Sequence, residues 1–305
     1  MKLGHGNNIE GLIAAPITPF RSDGLPDFEA IPPYAQLLAA DGVSGVFVNG
    51  TTGEGASLSV DEREALALAW RKALPRGMTL IVHAGCQALP EARRLAAHAA
   101  AIGADAVAAC PPSFFRTQHL AALAGWCAAV AAAAPALPFY YYHIPSLTGI
   151  AVRVNQLLNE AAPRIPNLAG VKFTHEALDD YLLCLRRTNG AADALWGRDE
   201  MLLGALATGA RGMVGSTYNI AAPLYRRIIA AFEKGDLHTA RALQSEACRM
   251  IEALIATGAF FSAMKCILHK RGLPITPAVR SPLSEITPEA CAQTGLAAWV
   301  GKQAH

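Results

Sequence analysis

Charge is scarce in this chain. Asp, Glu, Lys and Arg make up 16% of its 305 residues, and 26 basic against 24 acidic side chains leave a formal charge of +2. The basic residues form no cluster, so no electrostatic footprint for nucleic acid or for an anionic membrane surface is expected. The longest stretch free of Asp, Glu, Lys and Arg, Thr117 to Val152, is broken by Pro135, Pro138 and Pro145, and Met1 to Glu10 is polar and glycine-rich rather than basic and then apolar. Neither membrane insertion nor secretion is therefore expected. The seven cysteines (Cys86, Cys110, Cys127, Cys184, Cys248, Cys266 and Cys291) are odd in number, widely spaced and contain no C-x-x-C pair. They read as reduced, mostly buried thiols of a cytoplasmic protein.

Several chemical signatures are absent too. The nine histidines include no H-E-x-x-H pattern and no His/Cys/Asp cluster with metal-ligand spacing, so no metal is expected. There is no G-x-S-x-G elbow and no G-x-G-x-x-G fingerprint after a strand, which removes the usual routes to a serine hydrolase or a dinucleotide enzyme.

What remains is a regular alternation. Short apolar runs recur at Leu12 to Pro16, Ser44 to Asn49, Thr79 to Ala84, Ala106 to Cys110, Pro138 to His143, Ala169 to Thr174, Ala194 to Trp196 and Gly212 to Gly215. Stretches with helical spacing follow them, beginning near Asp27, Ser59, Leu89, Thr117, Val152, Asp179, Glu200 and Pro223. Ser59-Val60-Asp61-Glu62 has the form of a capping box. Runs such as Val46-Phe47-Val48 and Phe139-Tyr140-Tyr141-Tyr142 are apolar or aromatic throughout rather than alternating, as strands covered on both faces should be. Eight βα repeats point to a (β/α)8 TIM barrel, with an open doubly wound sheet as the rival. One domain is expected, its barrel spanning about residues 11–233. A C-terminal helical extension over about 234–305 would include Leu237 to Thr257 and Ala259 to Lys270.

In such a barrel, function sits where strands end. Lys172 is the most informative residue there, a single ammonium in the apolar run Leu168-Ala169-Gly170-Val171-Lys172. Burial lowers a lysine pKa and frees the amine to attack a ketone, while the bland alternative is a lysine that snorkels out to a carboxylate. Tyr142 ends the aromatic strand and is either a core aromatic or an acid/base beside that amine. Gly50-Thr51-Thr52-Gly53-Glu54 offers two hydroxyls and backbone amides suited to a carboxylate, or is a polar turn; it lacks P-loop spacing. Asp199 and Glu200 either cap a helix or accept from the hydroxyls of a polyhydroxylated substrate.

Taken together, Gly50-Thr51-Thr52-Gly53-Glu54, Tyr142-His143-Ile144-Pro145-Ser146-Leu147-Thr148-Gly149, Gly170-Val171-Lys172-Phe173-Thr174 and Gly212-Met213-Val214-Gly215-Ser216-Thr217-Tyr218-Asn219 resemble the family of dihydrodipicolinate synthases and N-acetylneuraminate lyases, from Gly11 to about Arg280. The resemblance implies a homotetrameric class I aldolase that needs no cofactor and takes a small-molecule 2-oxo acid. Lys172 matches the Schiff-base lysine and Tyr142 the proton donor and acceptor. Thr51 and Thr52 match the residues that bind the pyruvate carboxylate, and Thr174, Gly197, Asp199, Glu200, Gly215 and Ser216 fall in the segments that contact the sugar-derived chain.

Leu147 stands where the lysine-biosynthesis synthases typically carry an arginine, which favours the lyase branch: cleavage of N-acetylneuraminate to N-acetylmannosamine and pyruvate. The alternative is a sibling aldolase or dehydratase acting on another sugar-derived 2-oxo acid. From other classes, a non-catalytic pyruvate sensor or an oxidoreductase on an open sheet remains. One departure is plain. After the fourth strand the family often places a tyrosine that crosses the subunit interface, whereas this chain reads Cys110-Pro111-Pro112-Ser113-Phe114-Phe115.

Overall fold

The computed structural model describes residues 8–186, 193–293 and 295. In chain order the elements are β1 (Gly11–Ala14), α1 (Ile31–Ala40), β2 (Gly45–Val48), α2 (Val60–Ala73), β3 (Thr79–His83), α3 (Leu89–Ala101), β4 (Ala106–Ala109), α4 (Leu120–Ala131), β5 (Phe139–His143), α5 (Pro145–Thr148) and α6 (Val154–Ala161). They continue with β6 (Leu168–Phe173), α7 (Leu178–Arg186), β7 (Asp193–Trp196), α8 (Leu202–Thr208), β8 (Gly212–Gly215), α9 (Tyr218–Glu233), α10 (Leu237–Ala256), α11 (Phe260–Lys270) and α12 (Pro288–Gln293). The strands follow one another in sequence order around a closed barrel, with parallel pairing, and α10 to α12 come after it. The fold is the TIM barrel with a C-terminal helical extension that the alternation of apolar runs predicts, not the open sheet.

The strands form where both faces are covered. All four residues of β2 and of β4 are buried, and burying a Val or Phe contributes about 1.5–3 kcal/mol each. The capping box is formed: Glu62 N donates to Ser59 Oγ at 3.2 Å and Ser59 N donates to Glu62 Oε2 at 2.8 Å.

Helix boundaries differ from expectation near residue 220. α9 starts at Tyr218 rather than near Pro223, and breaks at Ala221 (φ −138°). Pro223 thus lies in the first turn of the segment after the break, where a missing N–H costs nothing. The unexpected α5 begins on Pro145 and closes on Gly149 in left-handed backbone, whose N–H donates to Pro145 O at 2.8 Å. A further correction concerns the thiols. Cys266 of α11 and Cys291 of α12 form a disulfide, while Cys86, Cys110, Cys127, Cys184 and Cys248 are thiols outside any disulfide. Nothing in the 25-residue spacing of that pair signals a bond.

The chain divides into two compact units. One comprises the described residues up to Gly11, those of Thr79–Arg198 and Gly204–Val214; the other comprises Leu12–Met78, Asp199–Leu203 and the described residues from Gly215 on. The first is organised around an aromatic block in which Phe173, Tyr181 and Trp196 pack at centroid distances of 4.9–6.1 Å. In the second, Tyr34 Oη donates to Asn219 Oδ1 and Asn219 Nδ2 to Ala15 O, both at 2.6 Å, tying α1, α9 and the end of β1 together. Among the described residues no single helix is long and apolar enough to cross a membrane, and no group of three His, Cys, Asp or Glu could hold a metal ion.

Candidate active site

In the first unit, pairing register brings the two leading residues together. A register shift between Phe139 and Tyr140 sets Tyr142 of β5 opposite Lys172 of β6. Both side chains are buried, and Lys172 Nζ stands 4.1 Å from the centroid of the Tyr142 ring. An ammonium over an aromatic face is attracted by the ring's quadrupole.

The ladder continues past the strand ends: Thr174 N donates to His143 O and Gly197 N to Phe173 O, both at 2.8 Å. Thr174 and Gly197 are thereby aligned at the carboxyl ends of β6 and β7. A side chain at position 197 would strike the Thr174 hydroxyl, so glycine is required for that approach. The Thr174 Oγ1 atom is buried without a hydrogen-bond partner, an arrangement that asks for a ligand.

Two neighbours in this unit escaped the sequence reading. The His83 ring meets the Tyr142 ring edge-on at 5.5 Å, and His83 Nε2 lies 3.2 Å from Cys110 Sγ while accepting from Cys110 N at 3.3 Å. His83 ends β3, so its position at a strand terminus was the available signal. Phe114 and Phe115 stand in the segment after β4 where the family often places a tyrosine. They pack on each other at 5.0 Å and are 79% and 85% exposed. His143, next to Tyr142, is pushed down to about 3 by burial and then by His175, and is a neutral imidazole.

In the second unit, Thr52 is buried and its Oγ1 lies 2.6 Å from Ser216 Oγ, which joins the loop after β2 to the loop after β8. Thr51 is exposed, and its carbonyl accepts from Glu54 N at 3.0 Å. Asp199 is buried and its carboxyl is pushed up to about 6, burial outweighing its hydrogen bonds. Its Oδ2 accepts from Thr217 N at 2.9 Å and Thr217 Oγ1 at 2.6 Å, so it fastens the turn into α9, while Oδ1 lacks a hydrogen-bond partner. A Cβ on Gly215 would collide with that Oδ1 and with the Tyr218 ring. Glu200 is half-buried, and its carbonyl accepts from Gln244 Nε2 at 3.0 Å. Gln244 also receives Leu203 N at 3.0 Å, so one α10 side chain secures the whole 199–203 turn.

Lys265 of α11 was also missed. Its side chain and that of Glu54 are wholly buried and paired at 2.6 Å. The signal was a lone ammonium in the apolar stretch Ala263-Met264-Lys265-Cys266-Ile267-Leu268, the same reasoning that singles out Lys172.

Comparison with known proteins places this geometry. Residues 8–298 match the model of the dihydrodipicolinate synthetase family. N-acetylneuraminate lyase A of Xenopus laevis is 44% identical over 281 residues, covering 91% of this chain and 92% of that protein. The structure of Proteus mirabilis N-acetylneuraminate lyase superposes with a TM-score of 0.92 at 37% identity, covering 98% of this chain and 99% of that one. A catalytic lysine mutant of Ruminococcus gnavus sialic acid aldolase superposes with a TM-score of 0.90 at 29% identity, covering 97% and 96% of the two chains. With a family model spanning nearly its whole length and relatives this similar across nine-tenths of it, the chain belongs to the dihydrodipicolinate synthetase family.

Proposed function

We propose that this protein is a pyruvate-dependent class I aldolase that cleaves N-acetylneuraminate to N-acetylmannosamine and pyruvate. The observation that carries the reading is the cross-strand pair Tyr142–Lys172, an amine in a buried strand with a phenol ring 4.1 Å away. The names of the Xenopus and Proteus relatives supply the substrate.

The Lys172 amine adds to the C2 ketone of the open-chain sugar, and loss of water gives a cationic imine. Tyr142, as phenolate, takes the proton from the C4 hydroxyl. The C3–C4 bond then breaks, its electron pair flows into the imine, and N-acetylmannosamine leaves as the aldehyde. The resulting enamine is protonated at C3, and water releases pyruvate and the free amine. Every step uses side chains of this chain alone, and no cofactor or metal is invoked.

Thr51 and Thr52 take the carboxylate of the 2-oxo acid. Thr174, Gly197, Asp199, Glu200, Gly215 and Ser216 receive the polyhydroxylated remainder. For Thr174 and Asp199, the unpartnered Oγ1 and Oδ1 support that assignment. A homotetramer is part of the same reading, and the exposed Phe114–Phe115 pair is an apolar surface that a second copy would cover; light scattering checks the mass.

Pyruvate release from N-acetylneuraminate, coupled to lactate dehydrogenase, tests the activity, and borohydride trapping with peptide mass analysis tests the imine. Turnover with an adduct on Lys172 is expected. An adduct without turnover moves the substrate to another 2-oxo acid, and an adduct on a different residue sinks the mechanism.

A further inference from the structure

The Gly50–Glu54 loop is entered and left in backbone conformations that only glycine adopts freely: Asn49 has φ 61° and Glu54 φ 55°. Such conformations persist only where the surroundings impose them. At Asn49 the restraint is Nδ2 donating to Arg63 O at 2.8 Å. At Glu54 both carboxylate oxygens are engaged, Oε1 by Lys265 Nζ at 2.6 Å and Oε2 by Arg280 N at 2.9 Å.

Lys265 is itself held in three ways. Besides Glu54, its Nζ donates to Ala278 O at 2.5 Å and lies 4.4 Å from the centroid of Phe20. Both charged side chains have no exposure to solvent. Desolvating a pair like this costs about as much as the attraction returns, so its net contribution to stability is small. What it supplies is placement: a charge-assisted bond fixes Glu54 in one geometry, and Glu54 is two residues from Thr52.

Within the loop, Gly55 N donates to Gly50 O at 3.0 Å and Thr18 Oγ1 to Gly53 O at 2.6 Å. A change at Glu54 therefore moves Thr51 and Thr52 with little slack to absorb it. We infer that Lys265, acting through Glu54, sets the position of the Thr51–Thr52 grip on the substrate carboxylate, so that an ion pair anchored in the C-terminal helices governs affinity for the 2-oxo acid. Lys265 and Glu54 are positioning residues, touching the loop and not the substrate. The inference rests on the aldolase reading above.

The test is borohydride trapping of pyruvate on Lys172 in the full chain, read as the half-saturating pyruvate concentration and the maximal adduct. Glu54→Gln combined with Lys265→Met removes both charges together and leaves neither stranded. Glu54→Asp keeps the charge but shortens its reach. Half-saturation should rise about tenfold in the double variant and less in Glu54→Asp, with maximal adduct retained at saturating pyruvate. A folded double variant whose half-saturation is unchanged overturns the inference, as does one that loses maximal adduct with half-saturation unmoved. If the double variant does not fold, Glu54→Asp decides by the same criteria. A parent chain that traps no pyruvate overturns the aldolase reading and this inference together, which is distinguishable from a parent that traps normally beside indifferent variants.

Discussion

Lys172 and Lys265 are both lone ammonium groups in apolar segments, both buried, and they are held by different partners. Lys265 in α11 faces the Glu54 carboxylate at 2.6 Å, and burial lowers its pKa while the charge of Glu54 pulls against that shift. Lys172 in β6 lies over the face of a phenol ring. Burial alone is thus a poor marker of a reactive lysine. The setting separates them: the carboxylate beside Lys265 makes that lysine a strut, whereas the phenol beside Lys172 sets it next to a group that can carry a proton.

Exchanging the two lysines' roles by mutation should break the symmetry cleanly. Lys172→Ala is expected to lower turnover by about 10⁴-fold or more, since no other group supplies the imine, while stability changes by no more than about 1–2 kcal/mol. Lys265→Met should do the opposite in kind, costing about 3–5 kcal/mol in denaturant unfolding because Glu54 is left buried without its counter-charge, with adduct formation on Lys172 still detectable. If the catalytic loss and the stability loss fall on the other lysine in each case, the comparison is wrong. Tyr142→Phe sharpens it further. The ring stays under the ammonium and only the hydroxyl goes, so the imine should still be trapped while cleavage slows by about 10²–10⁴-fold.

Asp199 extends the comparison to a buried acid. Its carboxyl is raised to about 6 by burial, against about 3.9 in an unfolded chain. Between those values the native state holds a proton that the unfolded state has released. The contribution is therefore fully present below about pH 4 and is lost as pH rises through about 6. Glu62, Asp179 and Asp236 are held low by their partners and act in the opposite sense, but they are common to both chains and cancel in a difference. Measured against Asp199→Asn, the parent should lose about 2 kcal/mol of relative stability from pH 4 to pH 7. A flat difference would mean that folding does not raise the Asp199 pKa above its unfolded value.

Much of this was readable in the sequence, for physical reasons that can be named. The strands were legible because β2 and β5 are buried on both faces and so carry unbroken apolar or aromatic runs. Lys172 was legible because a charge inside such a run demands a reason. Lys265 offered the same signal and was passed over, since a lysine in a helix has an exposed face as its default and only the tertiary fold turns this one inward. The His83–Cys110 pair was hidden because its members lie 27 residues apart and meet only through the β3–β4 pairing. Asp199 looked like a cap for the helix that follows it; instead it fastens Thr217, 18 residues on. Contacts across loops of that length carry no local pattern to read.

The smallest effect concerns the far end of the Lys265–Glu54 strut. Arg280, whose backbone N–H holds Glu54, also sends its guanidinium to Glu62 at 2.6 Å, and Glu62 closes the capping box with Ser59. Ser59→Ala removes the Oγ that receives Glu62 N, which should cost about 1 kcal/mol in unfolding. The Arg280 contact, which holds the Glu62 carboxyl below its usual range, survives that change, so half-saturation for pyruvate should stay where it is. If Ser59→Ala shifts affinity as the Glu54 variants do, the strut extends into α2 and the carboxylate grip is set by the helix cap as well as by the buried pair.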